Sequence, residues 1–120
     1  MPMIILHCLR NDTWEAIKDK PVFGEESVAA EGFIHCSSIE YFWRVAPNFR
    51  DIADELALLC IDTEKLTSPL KWEDGDNSGR EYPHIYGPVN LDAVVAVLPY
   101  RKDKDGNYIK NEEFAHIPNR

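Results

Sequence analysis

The run Leu56-Ala-Leu-Leu-Cys-Ile61 constrains this chain more than any other stretch. It is continuously apolar and closed by Asp62, a length and pattern that suit a strand buried on both faces rather than a helix. Such a strand belongs at the centre of a layered domain, with other elements arranged around it. Two further apolar runs, Met3 to Leu9 and Val94 to Tyr100, read as strands, and Phe33-Ile34-His35-Cys36 reads as a shorter one. Leu70-Lys-Trp72-Glu alternates like a half-buried strand. Pro83-His84-Ile85-Tyr86-Gly87-Pro88 is bracketed by prolines, which predicts a constrained edge or loop and not a central strand.

Helical signals are brief. Asp12-x-x-Glu15 has the form of a capping box, with Trp14, Ala16 and Ile17 turned to the core before Lys20-Pro21 ends the helix. Glu25 to Glu31 suits one or two turns closed by Gly32. Ser37-x-x-Glu40 suggests a second capping box, opening a helix in which Ile39, Phe42, Trp43 and Ala46 recur at helical spacing, with Glu40 and Arg44 outward and Pro47 ending or restarting it. Asp74 to Arg80 is a polar loop expected to be mobile. Asp105-Gly106 signals a hairpin, and loose structure is expected beyond about residue 112. Strands mixed with short helices define an α+β fold. With 120 residues and no linker composition, one domain is expected over residues 1–100, followed by a polar hairpin or tail over 101–120.

A hydrophobic fraction of 44% argues for a globular body, with Trp14, Trp43 and Trp72 as large buried surfaces. The net charge of −8 disfavours nucleic acid and anionic membranes as partners. No apolar run approaches the roughly 20 residues that span a bilayer. The N-terminus, from Met1-Pro2 onward, has no basic region or cleavage-type site and reads as part of a first strand, so the chain is expected in the cytoplasm. Cys8, Cys36 and Cys60 are an odd set in apolar stretches and read as reduced core thiols.

His7, His35 and His84 lie in apolar or constrained stretches, while His116 lies in the polar tail. A neutral imidazole offers one donor and one acceptor and titrates near neutrality, so it can hold ribose hydroxyls or move protons. Each alone is more commonly a turn or core histidine bonded to a carbonyl, and it is three of them at strand ends that point to a site. His7-Cys8 and His35-Cys36 are zinc-type ligands, but neighbours on a strand point to opposite faces, which splits each pair. Asp103, Asp105, Gly106 and Glu112 echo a calcium loop, yet Arg101 occupies the first ligand position. No metal is therefore expected. The same face argument turns Cys8 and Cys36 away from adjacent imidazoles, and Ser37 at a helix start could receive a phosphate or serve only as a cap.

Ile5-Leu-His7-Cys, Glu31-Gly-Phe-Ile-His35-Cys-Ser37, Leu59-Cys-Ile-Asp62 and Tyr82-Pro-His84-Ile-Tyr86-Gly-Pro88-Val-x-Leu-Asp-Ala-Val94 resemble, in order and spacing, the bacterial family named domain of unknown function 952. The resemblance covers residues 3–99. That family is in turn similar to the ADP-ribosyltransferase superfamily, in the branch containing RNA 2′-phosphotransferase. The resemblance implies an ADP-ribosyltransferase-like split pair of small β-sheets with short helices clasping NAD. His7 would hold a ribose, and His35 and Ser37 would lie near the pyrophosphate and nicotinamide ribose. Ile85 or Tyr86 would take the third motif position, and His84 and Tyr86 of the Pro-His-Ile-Tyr-Gly-Pro element would also face the nucleotide.

His7 and His35 are the implied catalytic pair, and Arg44 and Arg50 are the nearby cations for a phosphate. No glutamate occupies the superfamily's motif place, which points to transfer onto a small anionic or phosphorylated acceptor that needs no general base. The resulting expectation is an NAD-dependent transferase or NAD-cleaving enzyme. The alternatives are a non-catalytic nucleotide sensor and a partner-binding domain.

Overall fold

In the computed structural model, which describes residues 3–75 and 77–120, the run that anchored the sequence reading becomes the middle of the largest sheet. Met1 and Pro2 of the N-terminal stretch, and Asp76 of the polar loop, lie outside the described residues. In chain order the strands are β1 (Ile4–Arg10), β2 (Val22–Phe23), β3 (Ile34–His35), β4 (Ser37–Ser38), β5 (Leu56–Asp62), β6 (Leu70–Glu73), β7 (Tyr82–Ile85), β8 (Val89–Asn90), β9 (Val94–Lys102) and β10 (Tyr108–Ile109). The helices are α1 (Asn11–Ile17), α2 (Glu25–Glu31) and α3 (Phe42–Val45), with short 3-10 turns at Ala46–Phe49, Thr63–Lys65, Leu91–Ala93 and Glu112–Phe114. The strands form sheets of five (β10-β9-β5-β1-β4), three (β3-β7-β6) and two (β2-β8), all antiparallel in their pairings. This is an α+β fold.

Every residue of β5 is buried because the five-stranded sheet is covered on both sides. Leu59 and Ile61, with Ile5 of β1, pack against Phe23, Ile34, Ile85 and Val89. Leu56, Leu58 and Cys60, with Leu6, pack against Phe42, Ala46, Tyr100 and Phe114. The period-two alternation of β1 therefore sends Ile5 to one core and Leu6 to the other.

Several sequence expectations change. Residues 33–38 do not run from strand into helix. The chain pairs Ile34 and His35 with Ile85 and His84 in the small sheet, passes through Cys36, and pairs Ser37 and Ser38 with Leu6 and Ile5 in the large one. Ser37 is thus a strand residue and not a helix cap, and α3 starts only at Phe42. The Ser38 hydroxyl accepts from the Tyr41 amide (3.2 Å), closing the turn that the expected capping box would have opened. The Asp12 box is likewise absent: its carboxylate takes the Arg10 guanidinium at 3.0 and 2.6 Å.

The proline-bracketed segment is the middle strand of its sheet, contrary to expectation. In an antiparallel pair the nitrogen and carbonyl of one residue face the same neighbour. The Pro83 carbonyl accepts from the Cys36 amide (3.1 Å), so its missing N–H faces the point where the chain leaves β3 for β4. A central proline costs little there, because no ladder bond is interrupted.

Trp43 is 42% exposed, so it is not a core residue, whereas Trp14 and Trp72 pack partly buried against the first core. The segment after residue 112 is docked rather than loose: Phe114 is buried, and the Arg120 amide donates to the Glu40 carbonyl (3.0 Å). No helix among the described residues is long and apolar enough to cross a membrane.

Candidate functional site

The three-stranded sheet has one apolar and one polar face, and strand alternation decides which residue goes where. Ile34, Ile85, Leu70 and Trp72 turn inward to the first core. His35 and His84 are cross-strand partners, as are Lys71 and His84, and Glu73 and Tyr82, so these side chains share the opposite face. Phe33 joins them from just before β3, stacked on His84 at 4.2 Å between ring centroids, with His35 edge-on to His84 at 5.3 Å.

The switch of sheets at Cys36 sets this face beside β1. His7 Nδ1 meets the His35 carbonyl at 2.8 Å. A carbonyl only accepts, so Nδ1 carries the proton and Nε2 holds a lone pair. Burial lowers the His7 pKa, with the neighbouring His35 adding to the shift and the carbonyl bond opposing it, which keeps the ring neutral at physiological pH.

His84 is held differently. Its Nδ1 and the Tyr86 hydroxyl both reach Glu73 Oε1, at 2.8 and 2.5 Å. Those two bonds, the Tyr86 one first, hold the Glu73 carboxyl below the usual carboxylate range, and the bond to Glu73 pushes the Tyr86 hydroxyl above its own. The ionised carboxylate accepts from both, which leaves His84 Nε2 as the open nitrogen of the ring. Lys71 Nζ lies 4.7 Å from the Tyr86 ring centroid. His35 is more exposed, with Nε2 3.2 Å from Glu31 Oε2 one helical turn back. Gly32, at φ +90°, ends α2 between them in the left-handed conformation that glycine adopts without strain.

His7, His35 and His84 line one cavity of about 780 Å³, together with Phe33, Ser37, Arg44, Asn48, Glu73 and Tyr82. That volume lies in the range of roughly 300–1,000 Å³ common for small-molecule sites. Ser37 is on the wall, but it is almost wholly buried and its hydroxyl proton is committed to the Ser38 carbonyl (2.8 Å). Tyr86 stands behind Glu73 and does not line the cavity. Arg50 is not brought to it: its guanidinium donates to the Asp105 carbonyl (3.2 Å) at the β9–β10 hairpin. Arg44 does line the cavity, although its Nε now donates to the Arg120 carbonyl (2.7 Å).

The cysteines are poor nucleophiles, because burial raises the thiol pKa of Cys8 to about 12 and of Cys60 to about 11, and that of Cys36 also rises. Among the described residues no group of three or more histidine, cysteine or carboxylate side chains is arranged to hold a metal ion.

Glu73 is the main residue that sequence reasoning missed. The alternation Lys71-Trp72-Glu73 placed it on the face opposite Trp72, but the pairing of β6 with β7 that brings it to His84 was hidden by the demotion of the proline segment. A glutamate does reach the histidines, although not from the expected motif place.

The class defined by this geometry is a small α+β domain whose two larger sheets meet along a histidine-lined cleft. The chain belongs to the family of proteins of unknown function called DUF952, whose family model matches residues 8–97. His7 lies one residue before the matched segment. The crystal structure of protein CC0527 from Caulobacter crescentus is similar, with 32% identity, a TM-score of 0.79, and coverage of 93% of this chain and 98% of that one. Its solution structure has the same identity, a TM-score of 0.72 and coverage of 95% and 96%. No curated protein matches the chain.

Proposed function

We propose that the cleft binds NAD and cleaves or transfers its ADP-ribosyl group, as the resemblance to the ADP-ribosyltransferase superfamily implies. The observation that carries this reading is the convergence of His7, His35 and His84 on one cavity, with His7 Nδ1 committed to a backbone carbonyl. His7 Nε2 is then a fixed acceptor for a ribose hydroxyl. The exposed ring of His35, set edge-on to Phe33, offers an aromatic contact for a nicotinamide or adenine ring. Arg44 is the lining cation that would meet the pyrophosphate.

NAD mixed with the protein should release nicotinamide, and His7→Ala and His35→Ala should each lower that release by about 100-fold or more. Calorimetric binding without release would favour a nucleotide sensor in the same cleft. Absence of binding to NAD, ADP-ribose and other nucleotides would sink both readings.

A further inference from the structure

The Glu73, His84 and Tyr86 group is not explained by packing. The side chain of His84 is only 10% exposed, yet one of its nitrogens has no partner. No hydrogen bond engages Nε2 among the described residues, and no buried side-chain nitrogen or oxygen among them lacks a partner, so Nε2 opens out of the protein. His84 lines the cleft, which is where that nitrogen finds room. The ring cannot readily turn away, because Phe33 stacks on it and Glu73 holds Nδ1. A clamped imidazole with a carboxylate behind it and a lone pair facing a cavity is the arrangement of a proton acceptor.

We infer that the group accepting ADP-ribose in this cleft is a neutral hydroxyl, an alcohol or water, deprotonated by His84 Nε2 while Glu73 positions the ring. The inference rests on the NAD-cleaving reading above and names its acceptor. The balance closes without another reactant. The bond from the ribose anomeric carbon to nicotinamide breaks, and its electron pair leaves on nicotinamide. An oxygen lone pair of the hydroxyl forms the new bond to that carbon, and the hydroxyl proton passes to His84 Nε2. A phosphate acceptor would need no base, and it would have to approach the Glu73 carboxylate in a cavity where Arg44 is the cationic lining residue. The acceptor expected from sequence therefore fits this cavity less well than a hydroxyl does.

The groups facing His84 are Glu73 and Lys71 from β6, His35 from β3, and Tyr82 and Tyr86 along its own stretch of chain. The test combines turnover with a spectroscopic measurement that needs no turnover. With NAD and methanol, the wild type should form the methyl glycoside in preference to any product with inorganic phosphate. His84→Ala should lower kcat by about 100-fold or more, with KM for NAD little changed and the acid limb of the kcat profile lost. Glu73→Gln should lower kcat by about tenfold or more and keep the limb at a displaced position.

Nitrogen-15 shifts of wild-type His84 should show Nδ1–H with unprotonated Nε2, and Glu73→Gln should mix the tautomers. Phosphate outcompeting methanol, an unchanged acid limb in His84→Ala, or an Nε2–H tautomer in the wild type would each overturn the acceptor assignment alone. Failure of the wild type to bind NAD would overturn the underlying reading and this inference with it.

Discussion

His7 shows how one hydrogen bond can set both chemistry and stability. Its Nδ1 proton is spent on the His35 carbonyl, and burial depresses its pKa from the ordinary 6.5. The unfolded chain therefore binds a proton at His7 more readily than the folded one. Stability should be intact above about pH 6.5 and fall as the pH drops through the folded value. Urea midpoints measured from pH 7.5 to 5 should decline more steeply for the wild type than for His7→Gln, which removes that titration. At this scale the three histidines were legible, because polar rings in apolar or proline-bound stretches are conspicuous. Glu73 was not legible as their partner. It lies 11 residues from His84 in sequence, and only the register of β6 against β7 makes them neighbours.

Among the elements, the apolar runs were read correctly as β1, β5 and β9, since continuous hydrophobicity over strand length has few other uses. The errors fall where partners outside the segment decide the outcome. Ser37 and Ser38 have the chemistry of a helix start, but β1 offers them a ladder, and two backbone pairings outweigh a cap. The charge of the tail suggests loose structure, yet it is anchored at several points besides the Arg120 contacts described above. The Tyr108 hydroxyl donates to the Asn111 side chain, Asn111 Nδ2 donates to the Pro99 carbonyl, and Phe114 sits in the second core. Phe114→Ala should accordingly lower the free energy of unfolding by about 3 kcal/mol. Trp43→Ala, at an exposed site on α3, should change it by less than about 1 kcal/mol. Chemical denaturation of the two variants side by side checks both values.

For the whole molecule, the split into sheets of five, three and two strands was the least legible property, because it depends on which distant strands pair and not on where strands lie. The α+β class followed from composition and pattern; the partition did not. It turns on Cys36, the single residue between β3 and β4. The two larger sheets are joined there by the chain itself and by His7 Nδ1 to the backbone of His35, next to the Cys36 amide, which bonds the Pro83 carbonyl. Breathing that parts them breaks the His7 bond and loosens the adjoining Cys36, which makes the Cys36 amide a gauge of how often the sheets separate. Its hydrogen exchange, followed by NMR, should quicken by about tenfold in His7→Ala, the loss of one bond worth roughly 1–1.5 kcal/mol. Amides deep in β5 should change only with global stability. A residue outside the proposed chemistry would then report how often the two sheets that wall the cleft part company.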